Sequence, residues 1–423
     1  MSRRRSIADH LETDYQKPIR DPLWRHIYVS EPIQKLLDAA PCRQLSRIKQ
    51  LGPAFLVYPG ATHTRLSHSL GVFDIARRMI RRLLALDDFD VSLEGVKAFL
   101  SAALLHDLGH FPYTHSFKEL PLLQHEVLTG QLVRSEPIRG LLAHRLGTDP
   151  EMVAAIVDSS LEAGNRSEVA LFRTLLSGAL DPDKLDYLNR DAYFCGVPYG
   201  IQDVDFILSR LRSDGRGGVA LESSGISAVE NILFSKYLMY RAVYWHRTVR
   251  VATAMIKKAV YLALQQEVIK PQDLYGLDDD LFFVQFARKD FALFDLIRRV
   301  YDRQLHQPVW ETAFDTADPE HSTLTDMQLR CQLEERIAAR LNRQLSRQVA
   351  PQAVIIDVPE DISFEVDLAV IDSDGVLQNY PQSDTVFTGR VVADFTRTLR
   401  RLRIMVSSDI AADIPHPERL LES

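Results

Sequence analysis

Three cysteines in 423 residues, Cys42, Cys195 and Cys331, are too few, too far apart and odd in number for a disulfide framework or a cysteine metal finger. A reducing compartment follows as the expectation. Runs of about 18 consecutive apolar residues are missing, and the start MSRRRSIADHLETDY carries charge with no apolar stretch behind it. Neither a signal peptide nor a membrane partner is therefore expected, and the reading is cytoplasmic. A basic excess is missing too. The formal net charge of -7 argues against a surface that coats nucleic acid, although the basic stretches RRMIRRLL and TRTLRRLRI leave nucleic acid among the open partners. Internal repeats and low-complexity tracts are absent, while 46% hydrophobic and 25% charged residues fit an ordinary globular chain.

What the sequence does have is helical periodicity. RLSHSLGVFDIARRMIRRLLAL places Leu66, Leu70, Phe73, Ala76, Ile80 and Leu84 at steps of three and four, as an amphipathic helix requires. EGVKAFLSAALLHDLG and DMQLRCQLEERIAARLNRQLSRQV repeat the pattern. A stretch of more than 40 residues starting at Ile226 reads as two helices or one long interior helix. After Pro351 the texture changes to β-branched runs with Asp-Ser-Asp-Gly turn chemistry, and residues 387–405 read as a helix leading into a strand. The expected architecture is mainly α: an N-terminal arm over 1–35, a helical body over 36–350 and a small α+β region over 351–423.

Histidine is the informative residue. Seven of thirteen lie between His63 and His144, and LLHDLGHFPYTHSF drives His106-Asp107 up against an apolar run. Burying an ionised aspartate there without a partner costs several kcal/mol. A divalent cation is the obvious partner, and imidazole with carboxylate suits Fe, Mn, Co or Zn better than Mg or Ca. Neighbours on a helix point about 100° apart, so further ligands must come from other helices.

The ordered runs HTRLSHSLG (63–71), LLHDLGHFPYTH (104–115), His125-Glu126 and DPDKLDYLNRD (181–191) resemble the HD-domain phosphohydrolases. The deoxynucleoside triphosphate triphosphohydrolase branch, including the HD part of its mammalian SAM-and-HD-domain members, is the most similar, over roughly residues 17–260. The resemblance implies an HD helical core in which His68, His106, Asp107 and Asp183 hold the metal. It implies Arg65 at the α-phosphate, His110 donating to a phosphoryl oxygen, and His115 with His125 and Glu126 delivering a proton. Lys118 stands where a carboxylate orients the counterpart of His115, which shifts that work toward His125-Glu126. For the substrate, it implies Gln50 and Leu51 against the deoxyribose, Tyr187 and Asp191 at the 3′-hydroxyl, Tyr244 near the base, and Lys184 and Lys236 on the polyphosphate tail.

The expected activity is metal-dependent hydrolysis of dNTPs to deoxynucleoside and tripolyphosphate, with a transition metal at the centre and Mg on the nucleotide phosphates. The residues alone justify only metal-assisted phosphoester hydrolysis. The alternatives are an HD phosphohydrolase or phosphodiesterase acting on another nucleotide, and a low-turnover regulatory or nucleic-acid-binding scaffold. The expected assembly is a homo-oligomer, dimer to tetramer. A nucleotide effector is a further candidate partner: Asp38 matches a guanine-reading carboxylate, but Ser46 replaces the neighbouring arginine.

Overall fold

The computed structural model describes residues 3–87, 89–163, 167–215, 218–364 and 366–421. Its centre is helix α1, Arg65–Leu84, whose start is fixed by a reciprocal cap. The Thr64 hydroxyl accepts from the Ser67 N–H at 3.3 Å, and the Ser67 hydroxyl accepts from the Thr64 N–H at 3.2 Å. The expected stripe Leu70, Phe73, Ala76 and Ile80 is buried, but so are Val72, Ile75, Met79 and Leu83. The helix is enclosed on all sides because α2 (Leu93–Leu105), a short helix at Arg3–Thr13 and a later helix, Pro182–Cys195, pack around it. Its polar residues consequently have to find partners inside the protein.

Helix α2 begins at a Ser92 cap and is almost wholly buried. It stops at Leu105, so His106 and Asp107 lie just past its C-terminal end. Helices α3 (His125–Val133) and α4 (Pro150–Val157) follow, and then α5 (Pro182–Cys195). The start of α5 is set by Asp181, which accepts from the Lys184 N–H at 2.6 Å, with Pro182 in the first turn where no amide donor is needed. The long run after Ile226 resolves into α6 (Ile226–Met239) and α7 (Arg247–Gln265), separated by a widened turn at Tyr240–Tyr244. The last long helix, α8, spans Met327–Leu345.

The strands are few. β1 (Lys17–Asp21) and β2 (Arg25–Val29) form a hairpin; β3 (Leu211–Ser213), β4 (Val219–Glu222), β7 (Ala369–Ile371) and β8 (Leu377–Asn379) form one small sheet in that order. A second sheet runs β5 (Gln307–Ala313), β9 (Arg401–Val406), β6 (Val354–Asp357), all antiparallel. The mainly α architecture with a small C-terminal α+β region is as expected. The limits of the parts differ. Ile7, Leu11, Tyr15, Ile27 and Val29, in the stretch expected to be an arm, are buried in the same core as α1 and α2, because their apolar side chains have nowhere else to go. Strands after residue 350 pair with strands before it, β7 parallel to β4 and β9 beside β5. The change at 350 is thus one of local structure within a continuous packing. No helix among the described residues is long and apolar enough to cross a membrane.

Arg250 on α7 fastens the second sheet to the helical body. Its guanidinium meets both oxygens of Asp357 on β6, at 2.6 and 3.0 Å, and Glu360 at 3.1 Å. Burial opposes ionisation of Asp357 and Glu360, yet Arg250 holds both below the usual carboxylate range. The Arg250→Met variant should lose about 3–5 kcal/mol, because the buried Asp357 carboxylate is left with only the longer contact to Arg403, at 3.7 Å. The contribution is present in full above the unfolded carboxylate values near 4 and is lost as pH falls through the folded ones. Urea melts of wild type and variant should therefore differ most at neutral pH and converge in acid; an unchanged midpoint at pH 7 would contradict the assignment.

Candidate active site

Two carboxylates three residues apart share one face of α5, and His68 from α1 lies between them. Its Nε2 is 2.9 Å from Asp183 Oδ1, and its Nδ1 is 2.8 Å from Asp186 Oδ2. Asp186 is held from three further directions: by Arg190 through Nε at 2.7 Å and Nη2 at 2.9 Å, and by the Trp24 indole N–H at 2.5 Å. Arg190 is itself tied to Asp21 at 2.8 Å. Asp186, ionised and fully occupied, fixes the proton of His68 on Nδ1 and turns Nε2 toward Asp183. Gly71 makes this possible, since a Cβ there would run into the Asp186 carboxylate and the Arg190 guanidinium.

His106 is oriented in the same manner. Its Nδ1 donates to the Ala103 carbonyl at 3.0 Å, and its Nε2 is buried with no hydrogen-bond partner among the described residues. That Nε2 lies 3.3 Å from Asp107 Oδ1 and 3.7 Å from Asp183 Oδ1. Asp107 accepts from Arg65 Nη1 at 2.7 Å through its other oxygen. Donor atoms of His68, His106 and Asp107 all lie within 4.8 Å of one another. Burial opposes charge on His68, yet Asp183 and Asp186 carry its pKa up to about 10. Burial likewise opposes ionisation of Asp183 and Asp107, but His106 and His68 pull Asp183 well below the carboxylate range, and His106 with Arg65 does so for Asp107. A proton on His68 thus answers to carboxylates that a cation could neutralise instead. Two imidazole nitrogens with two carboxylates, one nitrogen orphaned, fit an Fe, Mn, Co or Zn ion.

A second group of imidazoles borders the first. His110 Nε2 is 3.1 Å from His115 Nε2, and the His125 ring lies 3.9 Å from that of His110 and 5.2 Å from that of His115. His125 Nδ1 is 3.1 Å from Glu126 Oε2. Gly109 lets α3 pass so close that a Cβ would strike the Thr129 N at 2.6 Å. Tyr113, at φ 64°, turns the chain so that His115 comes back over His110. Lys118 is exposed; the adjacent Glu119 points away, to Lys257 at 2.6 Å and Arg330 at 3.0 Å. Burial and then Arg65 push His110 far down, and burial lowers His125 against the pull of Glu126. Both rings are neutral before an anion arrives.

The remaining candidates divide into two groups. The Gln50 N–H donates to the His63 carbonyl at 3.0 Å, the His63 ring meets Asp191 at 2.8 Å, and the Tyr244 hydroxyl donates to Asp191 at 2.7 Å. Tyr187 stands edge-on to Tyr244 at 6.4 Å, and Leu51, next to Gln50, packs in the cluster of buried Ala54, Ala61 and Val249. Gln50, Leu51, Tyr187, Asp191 and Tyr244 are thereby brought together. Lys184 and Lys236 are occupied. Lys184 Nζ donates to the Gly178 carbonyl at 3.0 Å and pairs with Asp181; Lys236 Nζ donates to the Ser363 carbonyl at 2.7 Å. Burial, then the charge of Lys184, brings the Lys236 ammonium down to about 8. Asp186, Arg190, Asp21, Trp24 and His63 were not singled out from the sequence. The i+3 and i+7 positions of Asp186 and Arg190 relative to Asp183 were the available signal; nothing local marks Asp21 or Trp24.

Comparison with known proteins identifies the family. The HD domain matches residues 65–191 and the HD associated region matches 203–392. The protein YwfO of Bacillus subtilis is 33% identical over 323 residues, covering 70% of this chain and 72% of its own length. Bovine deoxynucleoside triphosphate triphosphohydrolase SAMHD1 is 24% identical over 278 residues, 58% of this chain and 47% of that one. The crystal structure of a hypothetical protein from Aquifex aeolicus superposes with a TM-score of 0.71 at 27% identity, covering 94% of this chain and 98% of the other. For the centre itself, His106→Ala should lower the manganese retained after dialysis by one equivalent per chain while the melting temperature moves only a few degrees. Unchanged metal content, read by elemental analysis, would sink the donor set.

Proposed function

This chain belongs to the HD-domain family, and from that premise we propose that it is a metal-dependent phosphohydrolase that cleaves dNTPs to deoxynucleoside and tripolyphosphate. The observation that carries the reading is the convergence of His68, His106, Asp107 and Asp183 beside Arg65 and three imidazoles. The similarity to a triphosphohydrolase supports the substrate class. Those four residues would hold a transition metal, which would supply Lewis acidity toward a phosphoryl oxygen and a water nucleophile at neutral pH.

The chain's own groups do the rest. Arg65 is anchored to Asp107 through Nη1 while its buried Nε lacks a partner, which leaves an edge of the guanidinium for a phosphoryl oxygen. His110 is locked by its neighbours, Nδ1 on the Asp107 carbonyl and Nε2 on the His115 ring, and a phosphoryl oxygen would take the place of His115 as the partner of Nε2. His125 is neutral in the free protein, and the negative charge of a bound phosphate raises its proton affinity. A proton taken up with the substrate is then in place for the 5′-oxygen as the bond from the α-phosphorus to that oxygen breaks and water adds to the phosphorus. Glu126 keeps that imidazole oriented. The wall of Gln50, Leu51, His63, Asp191, Tyr187 and Tyr244 offers a carboxylate and aromatic faces to a sugar and base. One observation favours a second reading, hydrolysis of a nucleotide with fewer phosphates: both lysines expected on the tail already have protein partners.

Incubation with each dNTP, dNDP and dNMP, each rNTP and a cyclic dinucleotide under Mg, Mn, Co or Fe, with products separated by chromatography, decides between them. Deoxynucleoside plus tripolyphosphate is the expected result, and deoxynucleoside monophosphate plus pyrophosphate would overturn it. Arg65→Ala should then lower kcat about 10²–10³-fold, with the fold intact by circular dichroism; an unaltered kcat would remove Arg65 from the phosphoryl site.

A further inference from the structure

The imidazoles of His110, His115 and His125 form a donor set of their own. Each can offer one nitrogen, and the three atoms lie within 4.8 Å of one another. The separation of 3.1 Å between His110 Nε2 and His115 Nε2 is close to the roughly 3.3 Å that two imidazole nitrogens span on one tetrahedral zinc ion with bonds near 2.0–2.1 Å. The opposite ring nitrogens already have acceptors in two of the three. His110 Nδ1 faces Asp107, 3.2 Å from its backbone oxygen and 3.2 Å from Oδ1, and His125 Nδ1 faces Glu126 at 3.1 Å. A proton held on Nδ1 by a carboxylate or carbonyl leaves the Nε2 lone pair for a cation, which in His110 would replace the hydrogen bond to His115.

Access differs from that of the first centre. His68, Asp107 and His110 are 1%, 4% and 1% exposed and His106 and His125 are half-buried, but His115 is exposed, so a cation from solvent meets the second set first at His115. The charges facing it are those of Arg65 and Lys118 on one side and Asp107 and Glu126 on the other. Arg65 is neutralised by Asp107, and Lys118 is in solvent, where its charge is screened.

We propose that His110, His115 and His125 bind a second, exchangeable transition-metal ion of the zinc class, separate from the ion at His68, His106, Asp107 and Asp183, and that this ion shuts the site down. Three histidine ligands leave one coordination position open to water or an anion. While the ion is bound, the lone pairs that would take up the catalytic proton are engaged, and the space for a phosphoryl group is filled. The inhibitory half of the proposal rests on the hydrolase reading above; the binding half does not.

The test is a difference measurement on the full chain. Wild type and the His115→Gln, His125→Gln double variant are dialysed against micromolar zinc chloride, and zinc per chain is read by elemental analysis. The wild type should hold one equivalent more than the double variant, while His106→Ala with Asp107→Ala should keep that extra equivalent. Cobalt should give intense visible absorption of a tetrahedral site in the wild type, weakened in the double variant. Equal zinc in wild type and double variant overturns the binding site whether or not any nucleotide is hydrolysed. If the site binds zinc and dNTP hydrolysis is found with manganese, added zinc should raise KM at least tenfold with kcat unchanged. A rate indifferent to zinc overturns the inhibitory role alone.

Discussion

The site depends on one carboxylate that never meets the proposed metal. Asp186 is buried in the middle of α5 and would be intolerable there as a lone charge, so the fold surrounds it with the Arg190 fork, the Trp24 indole and the His68 ring. The placement of His68 and Asp183 follows from that arrangement. His68 cannot rotate while its Nδ1 is held, α1 cannot withdraw from α5 while Gly71 lies against the Asp186–Arg190 pair, and Asp183 one turn back is thereby kept opposite His106. The N-terminal hairpin enters the same network through Asp21 and Trp24, which is why its burial serves the site as well as the core.

The contrast between the two histidine groups follows from what surrounds each. Around His68 and His106 the carboxylates outweigh burial, and the rings retain positive charge or accept a cation in its place. Around His110 and His125 burial and Arg65 prevail, and the rings are neutral. A few ångströms separate imidazoles that carboxylates keep charged from imidazoles that burial and Arg65 keep neutral. That division is the chemical basis for reading the cleft as a place where phosphate is handled.

Much of this was legible in the sequence for a physical reason: a buried aspartate beside histidine demands a partner, and periodic apolar residues say which helices are interior. The helical body, the strand texture after 350 and the His106-Asp107 pair were accessible that way. What the sequence concealed depends on distance along the chain. Asp21 reaches Arg190 across 169 positions and Trp24 reaches Asp186 across 162, and no local spacing reports such pairs. The charge of the two lysines was visible, but their engagement with Asp181, Gly178 and Ser363 is set by packing that only the folded chain reveals. The stretch before residue 35 looked detached because its turns are local, whereas its apolar contacts are not.

The second sheet places its central strand last in the chain. β9, at residues 401–406, is flanked by β5, about ninety positions earlier, and β6, nearly fifty earlier. As the chain leaves the ribosome, β5 and β6 emerge with apolar faces and unpaired backbone edges and must wait for β9, while the helical core has all it needs to close first. Closing loops of that size is also slow once the whole chain is available. The order of synthesis therefore leaves a gap of one strand between β5 and β6 until late in folding, and the region most dependent on protection from aggregation is the one farthest from the candidate chemistry in sequence.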